Sequence, residues 1–207
     1  MKRVIKIIEK LLLYGLFALG ITLLFFDTGR ISTMILAFES FIAAIMIAWF
    51  FEFKKIDGKY LIFIYLALWL NMFGELFAYY DGGFLYDKFL HLALGILLTS
   101  ITLEYYKQNS SLKKDAVFLT VLGMLALWEI YEFFLDSFFG FQAQGVFYNG
   151  LILQSALEDT MHDLIWGSIG SIGFLFFKKE KIDVVVKKTI KKEEIKFSTF
   201  IRNFFKW

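Results

Sequence analysis

Residues 1–26 read MKRVIKIIEKLLLYGLFALGITLLFF, and this stretch decides the fold. From Leu11 to Phe26 it carries no charge. A helix needs about 20 largely apolar residues to cross a bilayer, rising about 1.5 Å per residue through a hydrocarbon core of about 30 Å. The basic start resembles a signal peptide, but the apolar run is too long and no small-residue cleavage pattern follows. The stretch is expected to stay as a first membrane span.

The same pattern repeats along the chain. Spans are expected at about 8–26, 31–53, 59–80, 84–106, 116–139 and 155–177. The breaks between them are DTGR at 27–30, KKIDGK at 54–59, DGG at 81–83 and KQNSSLKKD at 107–115. The segment 140–154, GFQAQGVFYNGLILQ, carries no charge and reads either as a loop or as a re-entrant segment lying against the membrane. The expected fold is all-α: a polytopic transmembrane bundle of about six spans over 1–177. A basic cytoplasmic tail, 178–207, is expected to follow, with FSTFIRNFFKW at its end lying amphipathically on the membrane surface.

Composition agrees. Hydrophobic residues make up 58% and aromatics 20%, with a mean hydropathy of +0.63, against the roughly 45–50% apolar content of soluble domains. Cysteine is absent, which excludes disulfides, thiolate metal sites and cysteine nucleophiles. Proline is absent as well, so the commonest cause of broken helices is missing.

Charge gives the orientation. Of the 22 Lys and Arg, all but Arg30 and Lys88 fall before the first span, in alternate connections, or after the last span. Cytoplasmic loops retain the excess of Lys and Arg, so both termini are expected in the cytoplasm of a prokaryote, with the spans in its inner membrane. The expected partners are membrane lipids. Nucleic acid is not expected, because the basic residues mark a membrane face rather than a groove-binding module. The sequence specifies no oligomeric state.

Against this background the polar residues within the spans stand out. Glu39, Glu75, Asp87, Glu129, Glu132, Asp136, Glu158, Asp159 and Asp163 are joined by both histidines of the chain, His91 and His162. Glu104 sits apart, toward the cytoplasmic end of the fourth span. An ionisable residue inside a membrane is costly and suggests a functional role. The alternating direction of the spans places these acids at a similar depth, in the outer half of the bilayer. Asp87 and His91 share one helix face, as do Glu129, Glu132 and Asp136, while Glu158–His162 and Asp159–Asp163 form two i, i+4 pairs. So many acids at low dielectric must either share protons or bind cations. Carboxylates with imidazoles suit Zn²⁺, Mn²⁺ or Fe²⁺, and carboxylates on facing helices suit one ion or two. On this reading Asp87, His91, Glu132, Asp159, His162 and Asp163 are metal ligands and Glu129 is a general base. Glu39, Glu75, Glu104, Asp136 and Glu158 are secondary polar candidates. Gly167, Gly170 and Gly173 recur every three residues in the sixth span and permit close helix contact.

The stretch YDKFLHLALG at 86–95, with Glu104 thirteen positions after His91, resembles the signature of the YjdF-type inner-membrane proteins. WEIYEFFLD and EDTMHDLIWGSIG are similar to that family's later acidic motifs, including Asp159, Thr160 and Asp163. The likeness covers about 84–175, and His162 departs from the family pattern. A fainter likeness runs to the VanZ proteins. The resemblance implies that Asp87, His91, Glu104, Glu129, Glu132, Asp159 and Asp163 form a shared polar core, and VanZ points loosely to the cell envelope. It implies no particular activity.

Three functions compete. The first is a metal-dependent hydrolase or transferase acting on a lipid or lipid-linked envelope substrate. The second is a proton or cation transporter using the buried acids, although the chain shows neither repeats nor clearly broken helices. The third is a non-catalytic envelope or interaction protein held together by polar contacts, which average only about 0.6 kcal/mol each between membrane helices.

Overall fold

The computed structural model describes residues 2–26, 31–54, 56–77, 84–109, 114–141, 143–148 and 151–178. Six helices follow one another: α1 (Lys2–Phe26), α2 (Ile31–Lys54), α3 (Lys59–Leu76), α4 (Phe84–Asn109), α5 (Lys114–Phe139) and α6 (Ala156–Phe177). Arg30, the breaks at 27–30 and 81–83 and the basic tail beyond Lys178 lie outside the described residues.

The chain is a helical membrane bundle. The first five helices are long and apolar enough to cross a bilayer. The sixth, of 22 residues, is also long enough at about 33 Å, but Glu158, Asp159 and Asp163 crowd its first half. The outward surfaces are apolar: Leu119 is 63% exposed, Leu127 66% and Phe138 71%. A soluble chain does not leave such a surface bare; a membrane helix presents it to lipid.

Consecutive helices run in alternate directions. Trp69 on α3 donates to the Leu12 carbonyl of α1, and Gly20 of α1 lies against Phe38 of α2. Buried Leu16, Ala37, Ala44, Tyr65 and Met72 knit these three helices together. Phe51, Ile56 and Ile101 join them to α4. Leu103, Val117 and Leu175 form the apolar centre of α4, α5 and α6.

The α4–α6 crossing is the closest. A Cβ on Gly95 would collide with the Gly167 carbonyl, and one on Gly170 with the Leu92 carbonyl. The Thr99 and Ser171 hydroxyls stand 2.7 Å apart across this crossing, and Thr99 also donates to the Gly95 carbonyl. Gly167 and Gly170 thus have the packing role expected of them. Gly173 does not share it, because none of the described residues lies within 4 Å of the Cβ it lacks. Six residues along a helix rotate the position by about 240° from Gly167, off the contact face. Spacing alone does not single out Gly95, the partner on α4.

The described part of the uncharged 140–154 segment is more than a plain loop. It holds an antiparallel hairpin of β1 (Val146–Tyr148) and β2 (Leu151–Gln154), with a bulge between Val146 and Phe147. Gly140 and Gly145, at φ of 68° and 90°, make the turns into it, a backbone region costly for residues with a Cβ.

Candidate functional site

The hairpin and the starts of α4 and α6 meet at one end of the bundle, and the acids gather there. Ser155 caps α6, its hydroxyl accepting from the Glu158 backbone amide while the Glu158 carboxylate accepts from the Ser155 amide. This S-x-x-E box fixes the first turn of α6. It occupies Glu158 and turns Asp159 and Asp163 toward α4. Both aspartates are buried, at 4% and 1% exposure.

Lys88 reaches them from the first turn of α4. It is 1% exposed, and its Nζ lies 2.8 Å from Asp87 Oδ2, 2.5 Å from Asp159 Oδ1 and 2.7 Å from Asp163 Oδ1. An ammonium has three donors, and here each meets a different aspartate. Lys88 is the site residue that sequence reasoning misses, since there it enters only as an exception to the distribution of Lys and Arg. The available signal was its position beside Asp87 within an apolar run.

One turn further along α4, His91 is 6% exposed. Its Nε2 stands 3.6 Å from Asp87 Oδ1 and 3.8 Å from Asp163 Oδ1. On the other side its Nδ1 stands 3.8 Å from Glu129 Oε1. None of these is a hydrogen bond. Among the described residues, His91 Nδ1 and both carboxylate oxygens of Glu129 are buried without a hydrogen-bond partner. The Thr160 side chain lies close enough to act on the Glu129 carboxylate but not in hydrogen-bonding geometry. Orphaned buried polar atoms are rare in native structures and call for an unseen proton, water or ion.

Asp87, His91 and Asp163 each offer one ligand atom, all within 4.8 Å of one another. Ligands about 2.0–2.2 Å from a tetrahedral ion stand about 3.4 Å apart, and the two separations from His91 Nε2, 3.6 and 3.8 Å, are within a few tenths of an ångström of that. Glu129 would then accept from the outer nitrogen of the histidine, the carboxylate–imidazole pairing common behind metal-bound histidines. Charge agrees with one divalent ion. With all three aspartates ionised, they and the lysine would leave a net of −2.

The other candidates lie around this centre. Glu132, half-buried, accepts from Trp128 Nε1 at 2.6 Å. Asp159 is shared between Lys88 and the Gly145 amide, 2.8 Å from its Oδ2. His162 Nδ1 pairs with Gln154 Nε2 at 3.0 Å, apart from the Asp87–His91–Asp163 group. Asp136 accepts from the Ala143 and Gln144 amides at 2.7 and 2.9 Å, closing the end of α5. Glu75 accepts from Thr33 at 3.5 Å, Glu39 is half-buried on α2, and Glu104 is half-buried near the far end of α4.

No curated protein and no solved structure matches the chain significantly. A family model does: that of the predicted membrane proteins DUF2238, over residues 9–179. The match takes in α2 to α6 and nearly all of the span of α1, with every polar residue described above. This chain belongs to the DUF2238 family of predicted membrane proteins, the YjdF-type domain.

Proposed function

We propose that this protein is a metal-dependent membrane enzyme, holding a divalent ion at Asp87, His91 and Asp163 and acting on a lipid or lipid-linked substrate. The observation that carries the metal is the unpartnered buried pair, His91 Nδ1 and Glu129, beside a ligand group with two negative charges in excess. Imidazole with carboxylates favours Zn²⁺, Mn²⁺ or Fe²⁺ over the hard Ca²⁺ and Mg²⁺. When bound, such an ion supplies Lewis acidity and an activated water. Glu129, behind His91, would orient the ligand or move a proton, while Lys88 holds Asp159 and shares Asp163 with the ion. A site inside a bilayer meets lipids first, which supports a lipid substrate. The fainter VanZ-like motif likeness supports a place in the envelope, and the lysine and arginine distribution supports a cytoplasmic location for both termini.

Protein purified in mild detergent after growth with zinc, manganese and iron is expected to carry about one transition-metal ion per chain by elemental analysis. His91→Ala and Asp163→Asn should each lose most of it while retaining helical circular dichroism. Wild-type protein that is folded and metal-free would sink the proposal.

A second reading keeps the same residues and replaces the metal by protons. Lys88, the aspartates, His91 and Glu129 form a contiguous set of exchangeable groups, as proton pathways do. It predicts proton flux in proteoliposomes that falls at least tenfold in Glu129→Gln. Flux equal in the two proteins removes it.

A further inference from the structure

The hairpin presents an apolar surface that the site does not use. Leu151, Ile152 and Leu153 of β2 are 65%, 69% and 56% exposed. Successive residues of a strand point to opposite faces, so both faces of this strand are apolar and uncovered. An isolated two-stranded hairpin is marginal in water, and this one has no charge over 140–154 to keep it there. Its apolar surface continues onto the helices on either side: Leu157 of α6 is 72% exposed, and Phe138 and Phe139 of α5 are 71% and 62% exposed. Open strand edges need polar partners, which the hydrocarbon centre lacks and the headgroup level supplies.

We infer that the hairpin is immersed in the lipid interface at this end of the bundle, with Leu151–Leu153 among the acyl chains. Its base is tied to the polar centre. The Gly145 amide donates to Asp159, itself paired with Lys88. Gln144 Nε2 donates to the Glu129 carbonyl at 3.2 Å and to the Thr160 hydroxyl at 2.8 Å. Gln154 pairs with His162. Lipid therefore contacts an element joined by single hydrogen bonds to Asp159, Glu129, Thr160 and His162, and the hairpin side is where a lipid-linked molecule meets the site. The inference rests on the bundle spanning a membrane and holds whichever cation fills the centre.

The chain has no cysteine, so each engineered thiol is unique. Ile152→Cys and Leu153→Cys would be spin-labelled in the full-length protein and reconstituted into phosphatidylethanolamine–phosphatidylglycerol vesicles. Phe133→Cys on the apolar face of α5 serves as the lipid reference and Asp115→Cys, at the start of that helix, as the water reference. Both hairpin labels are expected to collide with oxygen several-fold more, relative to a water-soluble nickel chelate, than the label at 115. They should match the label at 133. Collision ratios like that at 115 would overturn the inference, placing the hairpin in water. Shielding from both reagents would overturn it too, showing protein over the strand. Since these side chains touch little, the variants should fold; Leu151→Cys gives a third reading on the face of Leu153.

Discussion

Replacing Lys88 by methionine is expected to cost about 3–5 kcal/mol of bundle stability, the usual penalty for removing one partner of a buried ion pair. The cost comes less from lost attraction than from what stays behind. Asp87, Asp159 and Asp163 each give an oxygen to the ammonium, and without it they face one another inside an apolar bundle. They must then take up protons or a further cation. The double variant Lys88→Met, Asp159→Asn should recover part of the loss, because one charge leaves with the lysine. Lys88→Arg should be poorer than the native residue despite its charge, since a planar guanidinium does not direct three donors at three separate oxygens as an ammonium does. Unfolding in mixed micelles, followed by circular dichroism, measures all three. A Lys88→Met protein within about 0.5 kcal/mol of wild type would mean that the network contributes little, as the reading of a merely polar-held bundle requires.

The lysine also bears on the number of ions. Carboxylates on facing helices left one metal or two as alternatives from sequence. In the structure the Lys88 ammonium occupies the space among Asp87, Asp159 and Asp163. One lysine and one divalent ion balance the three aspartates.

How far the sequence reached depends on the scale of the feature. The number and order of the helices followed from hydropathy blocks, because a bilayer needs helices of about 20 apolar residues, and five of the six are long and apolar enough to cross one. The gathering of Asp87, His91, Glu129, Asp159 and Asp163 followed from span direction and i, i+4 spacing. What periodicity could not give was the rotation of each helix about its axis. Glu158–His162 and Asp159–Asp163 are equally good pairs on α6 by spacing. The capping box and the close crossing at Gly95, Gly167 and Gly170 turn the second pair inward and leave the first near Ser155 and Gln154. The hairpin was equally hidden. Its strands are only three and four residues long, too short for alternation to register against an apolar background.

That crossing yields the second large effect. Gly170→Ala and Gly95→Ala each place a methyl group against a backbone carbonyl of the opposing helix, Leu92 and Gly167 respectively. A side chain can change rotamer to make room; a carbonyl in a helix moves only with the helix. Each substitution is therefore expected at or above the upper end of the roughly 1–3 kcal/mol that overpacking costs. Gly123→Ala and Gly173→Ala, with nothing within 4 Å of the new atom, should be neutral or gain some of the roughly 1 kcal/mol by which alanine favours helix over glycine. The two costly changes should not add. Once one methyl has pushed α4 from α6, the other finds space, so the double variant should cost less than the sum. Separation of the helices also reaches the site, because Lys88 bonds across the same interface two turns from Gly95. Loss of stability and loss of bound metal should therefore appear together in Gly95→Ala and Gly170→Ala, and in neither control. Gly170→Ala protein as stable as the Gly173→Ala control would show that the two helices do not approach so closely, and with it would fall the geometry that brings Asp163 to Lys88 and His91.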